Sequence, residues 1–281
     1  MNPHHRLRIA AVTVAFLAAA VVAACGSEAK PRSTAASAGV SVAATAPTTV
    51  APGTTAPIGA ITVFAASSLT EAFTEIGSSF EAANPGAKVR FNFAGSGDLV
   101  AQIRQGAPAD VFASADDSNM NKLIDAGEAV GKPIVVAKNT LEIITEPGNP
   151  KGIATLGDLA KPDLIIVLCA ETVPCGKLAA QALAAASVAV TPKSLEDKVK
   201  GVVVKVTTGE ADAGIVFATD VIAAGARAGG VEIPASQNAV TNYPVTVTKE
   251  ATNVGGGSSF ISYLASPSGQ AILAKFGFLA P

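Results

Sequence analysis

The sequence predicts an α/β domain built on largely parallel sheets. Three observations predict it. Short apolar runs of β-forming residues alternate with segments whose apolar residues recur at helical spacing. A chain of 281 residues can bury a sizeable core in one large domain or two lobes. No internal repeat breaks that reading. Folding sequence begins only at Gly59.

Residues 1–25 read as an export signal. His4, His5, Arg6 and Arg8 form a basic opening, and Ile9 to Ala24 form an apolar run broken only by Thr13. That run falls short of the roughly 20 apolar residues a spanning helix needs. It ends in Val22-Ala23-Ala24-Cys25, which resembles the lipobox of bacterial lipoproteins. The resemblance implies removal of residues 1–24 and a lipid on Cys25, tethering the protein to the outer face of the cell membrane. The plainer alternative is an ordinary signal peptide with a chance cysteine. Residues 25–58 are mainly Ala, Thr, Ser, Pro and Gly and read as a flexible linker.

The elements then follow in order. Ile61 to Ala65 is a β-like run, and Leu69, Phe73, Ile76 and Phe80 share one helix face. Ser68 with Glu71 three positions on predicts a capping box at that helix start. Val89 to Phe93 alternates as a strand, and Gly95-Ser96-Gly97-Asp98 turns into a helix bearing Leu99, Val100 and Ile103. Asp110 to Ser114, Leu141 to Thr145 and Leu164 to Leu168 are further strands, the last followed by a helix over about 174–186. Pro192 stands where a first helical turn would begin, ahead of Val199 to Val206. Gly214 to Phe217 and Val245 to Val247 read as strands, and Phe260 to Leu264 and Gln270 to Phe276 as closing helices.

Composition removes whole classes of chemistry. The net charge is −2 with only 15% charged residues, which argues against a nucleic-acid surface. The two histidines are His4 and His5, so the mature chain would have none. Ser-His-Asp and Cys-His catalysis, His-ligated zinc and histidine switching are thereby excluded. Apart from Cys25 the cysteines are Cys169 and Cys175, in CAETVPC. One pair in an exported domain most simply forms one disulfide, stabilising by roughly 2 kcal/mol and stiffening its loop. A redox-active dithiol is the alternative, although the spacing is not C-x-x-C.

Four junctions before helices stand out: Ser67-Ser68, Gly95-Ser96-Gly97, Pro174-Cys175-Gly176 and the turn at Val199. Helix starts present unpaired N–H groups and partial positive charge, which favour anions. Each alone is more simply a plain cap, because Ser and Gly are common there. Only convergence would carry meaning. Competing motifs are weaker. Gly95-x-Gly97 meets Val100 where a dinucleotide fingerprint wants a third glycine, and no Walker A or G-x-S-x-G pattern occurs. Asp116-Asp117 reads as an exposed turn and Gly255-Gly256-Gly257 as a flexible loop.

At these residues the chain resembles the molybdate-binding proteins, the extracytoplasmic solute receptors of molybdate ABC importers. The carriers are VFAASSLTEAF at 63–73, FAGSGDLVAQIRQGAPADVFASAD at 93–116, VPCG at 173–176, GEADAGIVFATD at 209–220 and SPSGQAILAKFGF at 266–278. The resemblance implies a two-lobed periplasmic-binding-protein-like fold with the ligand in the interlobe cleft. Each lobe would be a mostly parallel sheet flanked by helices. Lobe 1 would be 59–137 plus 247–281, and lobe 2 would be 138–246. It implies a binding protein, not an enzyme, that holds molybdate or tungstate through hydrogen bonds alone, with no cofactor and no protein–metal bond. Ser68 and Ser96 match the binding serines, and Cys175 and Val199 match positions that offer backbone N–H groups. Phe217 stands where the family commonly has a tyrosine, so a ligand-reaching hydroxyl is missing there. The implied partner is a membrane permease, with the receptor itself a monomer. Other readings are a receptor for sulfate, thiosulfate or another oxyanion, or a hydrolase using Ser68 or Ser96.

Overall fold

The structure is a computed structural model describing residues 58–281. The expected leader, Cys25 and the linker up to residue 57 lie outside the described residues. The chain runs β1 (Ala60–Ala66), α1 (Thr70–Ala83), β2 (Lys88–Ala94), α2 (Ser96–Arg104), β3 (Val111–Ala113) and α3 (Asp117–Asp125) before the long strand β4 (Ala129–Thr145). There follow β5 (Ile166–Cys169), α4 (Pro174–Ala185), β6 (Ser194–Glu196), α5 (Val199–Thr207), β7 (Ala213–Phe217) and α6 (Ala218–Ala224). The last elements are β8 (Gly229–Glu232), β9 (Val240–Thr248), α7 (Val254–Ala265) and α8 (Pro267–Lys275).

Two sheets share β4. The first has the order β2-β1-β3-β9-β4, and the second continues from β4 through β7 and β5 to β6, with β8 on the other side of β4. Each sheet has a parallel core, β2-β1-β3 in one and β7-β5-β6 in the other. Every antiparallel pairing involves β4 or β9, and β4 is the strand that runs through both sheets. Each sheet thus keeps its parallel core, with antiparallel pairing added where β4, β8 and β9 join. On β4, pairing with β9 ends at Thr140 and pairing with β7 begins at Leu141. β9 pairs only within the first sheet, from Val240 onward. The sheets thus divide at 140/141 and at about 240, where the sequence places lobe boundaries at 137/138 and 246/247.

Burial explains the elements. All five residues of β7 and all four of β5 are buried, as strands covered on both faces require. The apolar face of α1 buries Phe73, Ile76 and Phe80, and Phe80 meets Phe260 of α7 edge-on with ring centroids 5.4 Å apart. No helix among the described residues is long and apolar enough to cross a membrane.

Four local expectations change. The Ser68–Glu71 capping box does not form: a 3-10 turn at Ser67–Leu69 precedes α1, which has no side-chain cap. Both side chains have stronger partners elsewhere, described below. Asp116 is buried and caps α3 by accepting the N–H of Asn119 at 2.8 Å, while Asp117 faces outward. Gly255 to Gly257 lie in the first turn of α7, not in a loop. Asn253 caps that turn, and a Cβ at Gly257 would come within 3.2 Å of Val111, so small residues let the helix lie close on the sheet. Finally, the segment after Pro192 forms the short strand β6, not a helix start. α3, α6 and β8 had no clear signal, and only the last part of β4 did, because its first half is largely polar or exposed.

Candidate functional site

The parallel strands of both sheets direct their carboxyl ends at one place, as ligand sites in open α/β sheets do. Ser67 and Ser68 follow β1, Gly95 and Ser96 follow β2, and Phe217 ends β7. Pro174 and Cys175 open α4, and Lys198 and Val199 open α5. All of these residues line a single cavity. Ser68, Ser96, Cys175, Val199 and Phe217 are therefore brought together. The cavity is small, with about 20 Å³ of room for the centre of a water-sized sphere. That is little more than one such sphere requires. No carboxylate lines it.

The helix starts around it share one property. α2, α4 and α5 have no side-chain cap. By contrast α3, α7 and α8, whose starts lie elsewhere, are capped by Asp116, Asn253 and Ser266. Uncapped first-turn N–H groups need another acceptor. Three such starts facing one cavity without acidic side chains direct N–H groups and partial positive charge at it, an arrangement that favours negative charge.

The loop leading into α4 is tied down by the Cys169–Cys175 disulfide, whose Cα atoms are 6.0 Å apart. A Cβ at Gly176 would collide with the carbonyl of Ala170, so only glycine allows this turn to pack. The two sheets' elements also touch across the cavity. A Cβ at Gly95 would lie 2.7 Å from the carbonyl oxygen of Asp197 and 3.4 Å from Val173.

The serine hydroxyls have distinct partners. Ser96 Oγ accepts the N–H of Ala115 at 3.1 Å. Ser68 Oγ lies 2.9 Å from the hydroxyl of Tyr243, a fully buried residue of β9. Burial, only partly offset by the hydrogen bonds with Ser68 and Asn139, holds the Tyr243 phenol well above its ordinary range. Neither serine hydroxyl hydrogen-bonds a lysine or a carboxylate, so neither is paired with a base that could activate it.

One ion-pair cluster spans the two sheets' elements beside the cavity. Lys200, next to Val199 on α5, places Nζ 2.7 and 2.9 Å from the carboxylate oxygens of Glu71 on α1. The same Nζ is 2.9 Å from Asp220 Oδ1 on α6, whose side chain is 0% exposed. Burial alone would depress the Lys200 ammonium, but Asp220 and Glu71 outweigh it and hold the group above the usual lysine range. Burial pushes the Asp220 carboxyl up, against Lys200. This interaction takes Glu71 away from the predicted capping box.

Sequence reasoning missed Tyr243, Asn139 and the Lys200 cluster. Tyr243 is one of two tyrosines in the chain, and rarity was its only signal. Glu71 had an obvious local partner in Ser68, and that local signal misled.

The sequence matches the family described as bacterial extracellular solute-binding protein over residues 61–279. The molybdate-binding protein ModA of Mycobacterium tuberculosis H37Rv is 40% identical over 229 residues, 82% of this chain and 88% of that protein. Among solved structures, the periplasmic molybdate-binding protein of Azotobacter vinelandii has a TM-score of 0.70 at 23% identity, covering 79% of this chain and 99% of that one. The sulfate-binding protein SubI of M. tuberculosis H37Rv has a TM-score of 0.72 at 19% identity, covering 78% and 86%. Neighbours named for different anions share the fold equally well, so the fold does not choose the ligand.

Proposed function

The chain belongs to the bacterial extracellular solute-binding protein family, alongside the ModA proteins, and from that premise we propose that it binds molybdate in the cavity between its two sheets. The observation that carries this reading is the convergence of three uncapped helix starts on one cavity without carboxylates. Ser68 and Ser96 offer hydroxyls, and the amides at Cys175 and Val199 offer N–H groups. These hydroxyl and amide donors, with Lys198 as the one charged residue lining the cavity, suit a fully ionised tetrahedral dianion and disfavour one that carries a proton, whose O–H would face another donor. Tungstate has the same charge and shape and binds alongside molybdate. Sulfate is smaller and is held less well.

In this reading the two lobes, one built on each sheet, close on the anion without covalent chemistry. The loaded monomer, lipid-anchored through Cys25 on the outer face of the membrane, hands it to the permease of an ABC importer. Calorimetric titration of the purified protein with molybdate, tungstate, sulfate and phosphate tests the ligand. Tight binding of the first two and no sulfate signal is expected. A site that prefers sulfate would make the protein a receptor for that anion, and silence for all four would end the reading.

A further inference from the structure

Ser68 lines the cavity, and what stands behind its hydroxyl comes from the paired strands β4 and β9. Asn139 of β4 accepts the N–H of Thr140 on Oδ1 at 3.0 Å. That bond fixes which way the amide faces, because a flipped amide would set an N–H against an N–H. Its Nδ2 therefore points inward, donating to Thr219 Oγ1 at 2.9 Å and to Tyr243 Oη at 3.3 Å. The phenol oxygen is thus an acceptor toward Asn139. Its own proton has one acceptor among its hydrogen-bond partners, Ser68 Oγ at 2.9 Å. If Ser68 donated to Tyr243 instead, the phenol proton would be buried with no acceptor, an arrangement that costs more than the bond contributes. The proton of Ser68 is then left free to face the cavity.

We infer that Tyr243, backed by Asn139, is a positioning residue that locks the Ser68 hydroxyl as a donor toward the cavity. The inference rests on the anion-binding reading of that cavity. It also accounts for how a buried tyrosine serves the site although position 217 holds Phe: the hydroxyl of Tyr243 acts through Ser68, not on the ligand. A locked donor favours an oxyanion whose oxygens are all unprotonated and penalises one such as hydrogen phosphate. Burial keeps the phenol protonated far beyond neutral pH, so the direction of the chain does not reverse on titration.

The test is a double-mutant cycle on the purified protein, read by calorimetric titration with molybdate and by thermal unfolding. Ser68→Ala should weaken binding. Tyr243→Phe should weaken it about tenfold in the parent but less than about twofold in the Ser68→Ala background, because the tyrosine acts only through that hydroxyl. Equal losses in both backgrounds would overturn the relay and leave the site reading standing, since a merely structural role costs the same in each. If Ser68→Ala binds molybdate as the parent does, the site reading falls and the relay with it. Should Tyr243→Phe fail to fold, Asn139→Ala serves in the same cycle. Its loss of about threefold should likewise vanish without the Ser68 hydroxyl, and an additive loss would overturn the relay.

Discussion

Replacing Lys200 with Met separates the two roles of its ion-pair cluster. In the native protein one ammonium serves two carboxylates of very different exposure. Glu71 is 38% exposed and on the other sheet's helix, whereas Asp220 is 0% exposed and has Lys200 as its charge partner. Losing the half-exposed pair costs at most about 1 kcal/mol. Losing the compensation of a buried carboxylate costs about 3–5 kcal/mol. At roughly 2–4 °C per kcal/mol for a domain of this size, Lys200→Met should lower Tm by about 6–24 °C in differential scanning calorimetry. Glu71→Gln should lower it by only a few degrees. The double variant Lys200→Met/Asp220→Asn should recover much of the loss, because no buried charge is then left alone. A Tm for Lys200→Met within about 2 °C of the parent, or no recovery in the double variant, would refute the reasoning. The pH dependence adds a sign. Lys200 and Tyr243 both have folded-state pKa values raised above their unfolded values. Their contribution is fully present below those unfolded values and is lost as pH rises, because the unfolded chain sheds protons that the folded one keeps. Stability should therefore fall above about pH 10, and less steeply in Lys200→Met.

Three further outcomes follow from the site. Phe217→Tyr should tighten molybdate binding by about 10- to 100-fold, the worth of one hydrogen bond to a charged group, as read by titration; unchanged or weaker binding would sink the idea. Reducing the Cys169–Cys175 disulfide should cost roughly 2 kcal/mol of stability and weaken binding, because the loop that presents the Cys175 amide must then be ordered by the ligand. Identical affinity before and after reduction would remove that second role. Gly95→Val should hold the lobes apart, because even its Cβ would sit 2.7 Å from the Asp197 carbonyl. More than about tenfold weaker molybdate binding with little change in Tm is expected, and full affinity would show that the lobes need not meet at Gly95.

Local pattern alone determined the alternation of strands and helices, the starts of α2 and α4, and the cysteine pair, because each depends on residues a few positions apart. The same locality explains the errors. Ser68 and Glu71 have the spacing of a capping box, but a phenol 175 residues away and a lysine 129 residues away hold them instead. Gly255 to Gly257 look like a loop until the closeness of α7 to Val111 gives them a reason to be helical. Whether three uncapped helix starts meet is a property of strand order, and spacing does not contain it. Strand order also brings Tyr243 and Asn139, on two strands joined side by side, behind a serine at the end of a third. The donors were legible one by one in the sequence. Their convergence, and the direction of the hydrogen-bond chain behind Ser68, required the packed sheets, because burial is what forces each polar group there to find its partner.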